Sequence, residues 1–542
     1  MNRRLPLHPL LAPLLLLAAC SSLSPPPAAV RSPLNLTILH TNDHHGRFWP
    51  NADGEYGMAA RKTLVDRIRA EVAAAGGQLL LLDGGDVNTG VPESDLQDAE
   101  PDYQGMNRIG YDASAVGNHE FDKSPAVLAR QRQWARFPLL AANIYQGGKR
   151  LFEPYRIFER GGYRIAVLGL TTDDTQKMVL PENIRGIEFR KPADEAAKLV
   201  PELRAQADMV IAATHMGHYT DGRHGVNAPG DVEMARAVPG LDLVVGGHSQ
   251  NPVCMKAENQ RNDAYLPGQP CAPDRQNGAW IVQAHEWGKY VGRADFRLEG
   301  GRIELVSYRL LPVNLKQRLA GGKKVHYGEA IAEDPALRDF LLPFQQAGQA
   351  RLNVPVGSAD GELDGDRARV RSQPTNLGTL IARAMMDKTG ADLALINSGG
   401  VRDSLPAGQI SYRDVLKVQP FGNTVGLAVL SGAELIDYLR AAAKMTPGSG
   451  GFPQTAGLQM VIAGNALVEA RVGGRPIDPQ QRYRLSINNF TATGGDGYPP
   501  LRAHPGYVDT GFNDADVLRA YIGRLSPLKI ADYAPGNTVL RK

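Results

Sequence analysis

Residues 34 to about 313 repeat one pattern: a short apolar run that stops abruptly at polar, glycine-containing residues. The runs fall at 36–39, 79–82, 113–116, 165–168, 209–213 and 243–245, each of strand length and bounded by turn formers. Helix-like segments, such as 59–75 and 191–207, intervene. Strands alternating with helices predict a layered α/β domain. In such sheets ligands collect beyond the carboxyl ends of the strands, so the polar residues there are the candidates for chemistry.

A chain of 542 residues exceeds one ordinary core, and two or three domains are expected. The stretch 333–352 places Leu337, Phe340, Leu341 and Phe344 on one helical face and reads as a linking helix. After residue 354 a second domain of typical size runs to Lys542. Its apolar runs at 393–396, 425–429 and 483–487 alternate with helical stretches at 375–389 and 432–444. The expected divisions are therefore 34–332, 333–354 and 355–542, with no internal repeat.

The N-terminus reads as an export signal. Arg3 and Arg4 precede an apolar stretch over 5–17, followed by Leu17-Ala18-Ala19-Cys20. A positive start, a short apolar region and a small-residue cleavage site make residues 1–20 a signal peptide. The stretch is too short, and too interrupted by Pro6, Pro9 and Pro13, to span a bilayer. Its ending resembles a bacterial lipobox, so lipidation of Cys20 is expected, with plain cleavage near Ala19 as the alternative. Residues 21–33, rich in Ser, Pro and Ala, would then be a flexible tether. The expected location is the periplasm or cell envelope, with the membrane touched only through that anchor.

Two cysteines remain, Cys254 and Cys271, in a proline-rich loop. In an oxidising compartment one disulfide is expected, two free buried thiols being the alternative. Net charge is +3, and no basic run is longer than Arg3-Arg4 or Lys323-Lys324. A nucleic-acid polymer is not an expected partner.

Five strand ends carry residues of ligand type: Asp43-His44-His45, Gly84-Gly85-Asp86, Gly117-Asn118-His119-Glu120, Thr214-His215 and Gly246-Gly247-His248-Ser249-Gln250. Carboxylate, imidazole and amide oxygen together suit zinc, manganese, cobalt or iron rather than a structural all-cysteine zinc site. One aspartate bridging two cations about 3.5–4 Å apart makes a two-metal hydrolase. A lone histidine is usually structural; five such ends in strand context are a far stronger signal.

These residues, with Thr41-Asn42-Asp43-His44-His45-Gly46 and Gly117-Asn118-His119-Glu120 foremost, resemble the calcineurin-like metallophosphoesterase signature. The resemblance narrows to the bacterial periplasmic UDP-sugar hydrolase/5′-nucleotidase family and covers nearly all the chain after the tether. It implies an α/β fold: an N-terminal four-layer αββα metallophosphoesterase sandwich plus a separate C-terminal α/β nucleotide-binding domain. It further implies two divalent metal ions (Zn, Mn or Co), one held by Asp43, His45, Asp86 and Gln250, the other by Asp86, Asn118, His215 and His248. By the same resemblance His119 is a non-ligand beside the scissile bond, held in place by Asp122. His44, His218 and His285 stay unassigned, with packing or supporting roles.

The second domain carries recognition chemistry. Arg367, Arg371 and Arg402 are candidates for bidentate phosphate contacts, whereas Arg369 and Arg383 read as surface arginines. Phe421 and Phe490 each stand in a polar, flexible loop, as a ring meant for stacking on a flat ligand would. The resemblance implies that these two rings sandwich a base, that Asn423 and Gly450 lie near its edge, and that Asp496 takes the ribose. It also implies closure of the second domain over the substrate, with residues 352–356 as the hinge.

The expected function is hydrolysis of 5′-nucleotides to nucleoside and phosphate and of UDP-sugars to UMP and sugar 1-phosphate, by a monomer. The alternatives are a related metallo-hydrolase acting on cyclic nucleotides or another phospho- or sulfo-ester, or a non-catalytic nucleotide-binding surface lipoprotein.

Overall fold

The computed structural model describes residues 31–179, 183–219, 229–319, 321–536 and 538–542. The expected signal peptide, Cys20 and most of the tether lie outside the described residues.

The first body contains twelve strands that matter to the site: β1 (Leu34–Thr41), β2 (Gln78–Asp83), β3 (Ala113–Ala115), β4 (Leu139–Leu140), β5 (Tyr155–Arg160), β6 (Tyr163–Thr171), β7 (Met209–His215), β8 (Leu243–Val245), β9 (Asp274–Gln276), β10 (Ala279–Val282), β11 (Tyr290–Glu299) and β12 (Arg302–Pro312). They form two six-stranded sheets, ordered β12-β11-β1-β2-β3-β4 and β9-β10-β8-β7-β6-β5. Strands β1 to β4 pair in parallel, as do β6, β7, β8 and β10.

Period-two alternation decides which side chains meet. Leu36, Ile38, Leu80 and Leu82 of the first sheet pack against Ile165, Val167, Ile211 and Leu243 of the second in one buried core. Leu39 and Leu81 point the other way, into the core beneath helices α1 (Met58–Ala74) and α3 (Glu100–Ile109), which the short helix α2 (Pro92–Asp95) separates in sequence. On the far side, Leu168, Val210 and Ala212 pack under Leu199, Val200 and Leu203 of α4 (Pro192–Arg204). The result is the four-layer α/β/β/α stack that was expected.

The antiparallel β11–β12 hairpin differs from the apolar-run pattern, because Arg293, Asp295 and Arg297 alternate with Ala294, Phe296 and Leu298. It extends the first sheet beside β1.

Helix α5 (Pro335–Leu352) starts where Asp334 accepts the Leu337 N–H at 2.7 Å. Its Leu337 and Leu341 enter the first core, with Phe340 and Phe344 packed against it. The linking helix therefore belongs, by its packing, to the first body.

The second body is built on β13 (Leu393–Asn397), β14 (Thr424–Ser431), β15 (Pro453–Ala456), β16 (Arg482–Asn488) and β17 (Tyr507–Asn513), ordered β15-β13-β16-β14-β17. Helix α6 (Asn376–Thr389) covers one face, and α7 (Tyr412–Val418) adds Val415 and Val418 to the same core. Helix α8 (Gly432–Ala443) covers the other face. Thr375 caps α6 by accepting the Gly378 N–H at 3.1 Å, and Ser431 with Glu434 forms a capping box on α8. The cores of the second body begin at Ala359 and share no residue with those of the first.

Cys254 and Cys271 form a disulfide, their Cα atoms 4.7 Å apart, both buried next to the inter-sheet core.

Candidate active site

The parallel registers bring the strand ends to one rim. Thr41 pairs with Asp83, Asp83 with Ser114, Ala213 with Val245 and His215 with Thr171. The loops leaving those ends converge on Asp86. Its Oδ2 lies 2.9 Å from His215 Nε2, 3.7 Å from His45 Nε2 and 4.0 Å from His119 Nε2. Two clusters spaced for metal ligation share this carboxylate, one with His45 and His119, the other with His215 and His248. Asp43 Oδ1 stands 3.7 Å from His45 Nε2 and Gln250 Nε2 at 2.6 Å, while Asn118 Oδ1 is 2.9 Å from His248 Nδ1. All seven expected ligands are thus within one rim.

Several features fit these residues to cations. His215 Nδ1 faces the Gly84 carbonyl at 2.7 Å and His45 Nδ1 the Thr89 carbonyl at 2.8 Å, which leaves each Nε2 to point inward as a lone-pair donor. Asp43 Oδ1 is buried without a hydrogen-bond partner. Asp43, His45, Asp86, His248 and Gln250 all have φ between 50° and 74°. A left-handed backbone at a non-glycine residue costs roughly 1–3 kcal/mol and gathers where function over-determines geometry. Gly117 is required for a different reason: a Cβ there would sit 2.1 Å from Asp86 Oδ1.

Glu120 is the residue that sequence reasoning passed over. Its carboxylate accepts the backbone N–H groups of Gly117 (2.6 Å), Val87 (2.9 Å), Asp86 and Asn88 (both 3.2 Å). It therefore ties the β2 loop to the β3 loop. Its place directly after His119 in the motif was the available signal. His44, left unassigned, is buried between Asp102 (2.8 Å) and Arg61 (3.2 Å), and His218 pairs with Asp274 at 2.9 Å.

His119 differs from the other imidazoles. Its Nδ1 is 2.6 Å from Asp122 Oδ2, and its ring faces that of Phe421 with centroids 5.7 Å apart and planes 13° from parallel. Burial opposes the charged form, but the Asp122 and Asp86 carboxylates outweigh it and raise the pKa above the ordinary imidazole value.

Phe421 belongs to the second body, so the rim is completed from across the cleft. The cavity measures about 760 Å³ and is lined by Asp86, Asn118, His119, Asp122, His248 and Gln250 on one side. The other side supplies Arg367, Arg371, Arg402, Phe421, Asn423, Gly450, Phe490 and Asp496. Asp43, His45 and His215 are buried behind this lining. Every expected site residue of the two bodies is therefore at this cleft.

The cleft's far wall is electropositive. Burial, then Arg367, lowers the Arg402 pKa to about 10, and burial with Arg367 and Arg402 lowers that of Arg371. Guanidinium groups that repel one another across a cleft suit a multiply charged anion. Arg369 instead pairs with Asp364 at 2.7 Å and Arg383 donates to the Asp532 carbonyl, so both stay structural. Asp496, with φ 54°, accepts from Asn397 Nδ2 at 2.7 Å and lies beside Gly450, where a Cβ would come 3.1 Å from its carboxylate.

Comparison with known proteins agrees with this geometry. Residues 36–252 match the calcineurin-like phosphoesterase family model, and residues 355–503 match the 5′-nucleotidase C-terminal domain. Protein UshA of Escherichia coli K12 is 58% identical over 514 residues, covering 93% of this chain and 94% of that protein. A 5′-nucleotidase of Vibrio cholerae is 54% identical, covering 93% of each. Among solved structures, a 5′-nucleotidase precursor from Thermus thermophilus superposes with a TM-score of 0.77 at 32% identity, covering 91% of this chain and 97% of its own.

Proposed function

The chain belongs to the 5′-nucleotidase family of calcineurin-like phosphoesterases, and on that premise we propose a two-metal hydrolase of 5′-nucleotides and UDP-sugars in the cell envelope. The observation that carries the proposal is the shared Asp86 carboxylate, set across one cavity from three arginines and two phenylalanines.

Asp43, His45, Asp86 and Gln250 would hold one divalent ion, and Asp86, Asn118, His215 and His248 the other. Bound there, zinc, manganese or cobalt supplies Lewis-acid polarisation of the phosphoryl group and activation of water. The remaining work falls to the chain's own groups. His119, kept protonated by Asp122, neutralises charge on the leaving oxygen and delivers a proton to it. Arg367, Arg371 and Arg402 orient the phosphates. Phe421 and Phe490 stack on the base, Asn423 and Gly450 line its edge, and Asp496 receives the ribose hydroxyls.

Because the substrate is gripped from both sides, residues 352–356 act as the hinge between a metal domain (34–332, with its linking helix 333–354) and a nucleotide domain (355–542). No helix among the described residues is long and apolar enough to cross a membrane. Attachment, in this reading, is by lipid on Cys20 of an exported monomer.

The test uses protein lacking residues 1–33, stripped with EDTA and resupplied with Zn²⁺, Mn²⁺ or Co²⁺; phosphate release is read directly from AMP, and from UDP-glucose through a coupling phosphatase that acts on its products. Metal-restored turnover of both AMP and UDP-glucose is expected. AMP turnover alone would remove the UDP-sugar half of the proposal, and turnover that survives complete metal removal would overturn it.

A further inference from the structure

Helix α2 is only four residues long, yet it touches three things at once. Ser94 lies against the metal loop, since a Cβ on Gly46 would come 2.8 Å from Ser94 Cβ. Its hydroxyl donates to Asp102 at 2.5 Å, and Asp102 in turn meets His44, the residue between ligands Asp43 and His45, at 2.8 Å. Glu93 packs against the linking helix α5, where a Cβ on Gly348 would come 2.7 Å from Glu93 Cγ. The third neighbour is α7 of the second body.

The contact with α7 is ionic. Glu93 is 0% exposed, and Arg413 of α7 pairs with its Oε1. Among the described residues no other cation is within ion-pair distance of Glu93, and neither carboxylate oxygen has a hydrogen-bond partner. A buried carboxylate with a single counter-charge resists being stripped of it. Arg413 also stands at the point where the chain crosses between bodies: the Tyr412 N–H donates to the Val354 carbonyl at 2.9 Å, directly after α5 ends.

We propose that the Glu93–Arg413 pair is the pivot that registers the nucleotide-binding body on the metal loop. It lies beside the crossover, where a rotating body moves least, and α2 links it through Ser94 to the ligand loop itself. The pair stays closed while Phe421 and Arg402 swing toward or away from His119. Glu93 and Arg413 are positioning residues; neither lines the cleft. This inference rests on the proposed grip of one substrate by both bodies.

The experiment uses the mature chain carrying R302C and D437C for spin labels, one on each body, in wild-type, R413M, R413K and E93Q backgrounds. The inter-body distance distribution, kcat/KM for AMP and turnover of bis(4-nitrophenyl) phosphate are measured for each. R413M and E93Q should broaden the distribution and lower kcat/KM for AMP at least tenfold. Turnover of the small diester, which needs only the metal body, should hold, and R413K should restore the wild-type distribution. An unchanged distribution in R413M, or equal loss on both substrates, would overturn the pivot. If the wild type fails to turn over AMP, the functional reading falls, while the distance distributions still decide the pivot.

Discussion

His119 and Phe421 lie face to face, 302 residues apart in sequence, with ring centroids 5.7 Å apart and planes 13° from parallel. One ring comes from the metal rim and the other from the nucleotide side, with the Arg402 guanidinium 5.6 Å from the Phe421 centroid. The two rings, one from each body, thus meet across the cleft.

Phe421→Ala removes that ring. Base–aromatic stacking contributes about 1–3 kcal/mol, so KM for AMP should rise roughly five- to hundredfold. Turnover of bis(4-nitrophenyl) phosphate should hold. Steady-state kinetics on the two substrates checks this, and an unchanged KM for AMP would remove Phe421 from base recognition.

Glu120→Gln leaves the site's shape but places an amide N–H₂ among four backbone N–H donors. One of the two acceptor oxygens that tie the loops bearing Asp86 and Asn118 together is lost. Groups that orient metal ligands typically contribute about 10–100-fold to metal affinity, and that loss is expected here. Metal titration after EDTA treatment reads it directly; excess metal should recover most of the activity.

Asp514 offers a pH test away from the metals. Burial pushes its carboxyl up to about 7, although the Ala515 N–H (2.8 Å) and Gln419 Nε2 (3.3 Å) donate to it. In the unfolded chain its pKa is about 3.9. The folded state therefore holds this proton more tightly, and its contribution to stability is full below pH about 4 and lost as pH rises through 7. Relative to Asp514→Asn, the wild type should lose on the order of 1 kcal/mol per pH unit across that window. Parallel denaturation curves for the two proteins at pH 5 and pH 7 would refute the shift.

Cys254→Ser with Cys271→Ser opens a crosslink spanning 17 residues of sequence. A loop of that size is worth roughly 3 kcal/mol. Denaturant unfolding should show that loss in the double variant, and reductant should lower the stability of the wild type but not of the variant.

The sequence by itself determined the local half of the protein. Apolar runs ending in Asp86, Asn118, His215 and His248 mark strand ends, because side-chain period and turn chemistry are properties of a few adjacent residues. The helical stretches expected at 333–352, 375–389 and 432–444 begin within two residues of α5, α6 and α8 for the same reason. The β11–β12 hairpin was not legible as an apolar run, since charged side chains alternate along it.

Only the tertiary structure decided how distant pieces meet. Gln250 comes within 2.6 Å of His45, and Arg413 neutralises Glu93, because sheets and bodies pack in a particular register that no local window contains. The left-handed backbone at Asp43, His45 and Asp86 belongs to that level too: residues of these types do not require it, and the surrounding contacts impose it. Patterning fixes which residues reach a strand end. Packing between sheets and across the cleft fixes what they face there, because those contacts form only once the entire chain has folded.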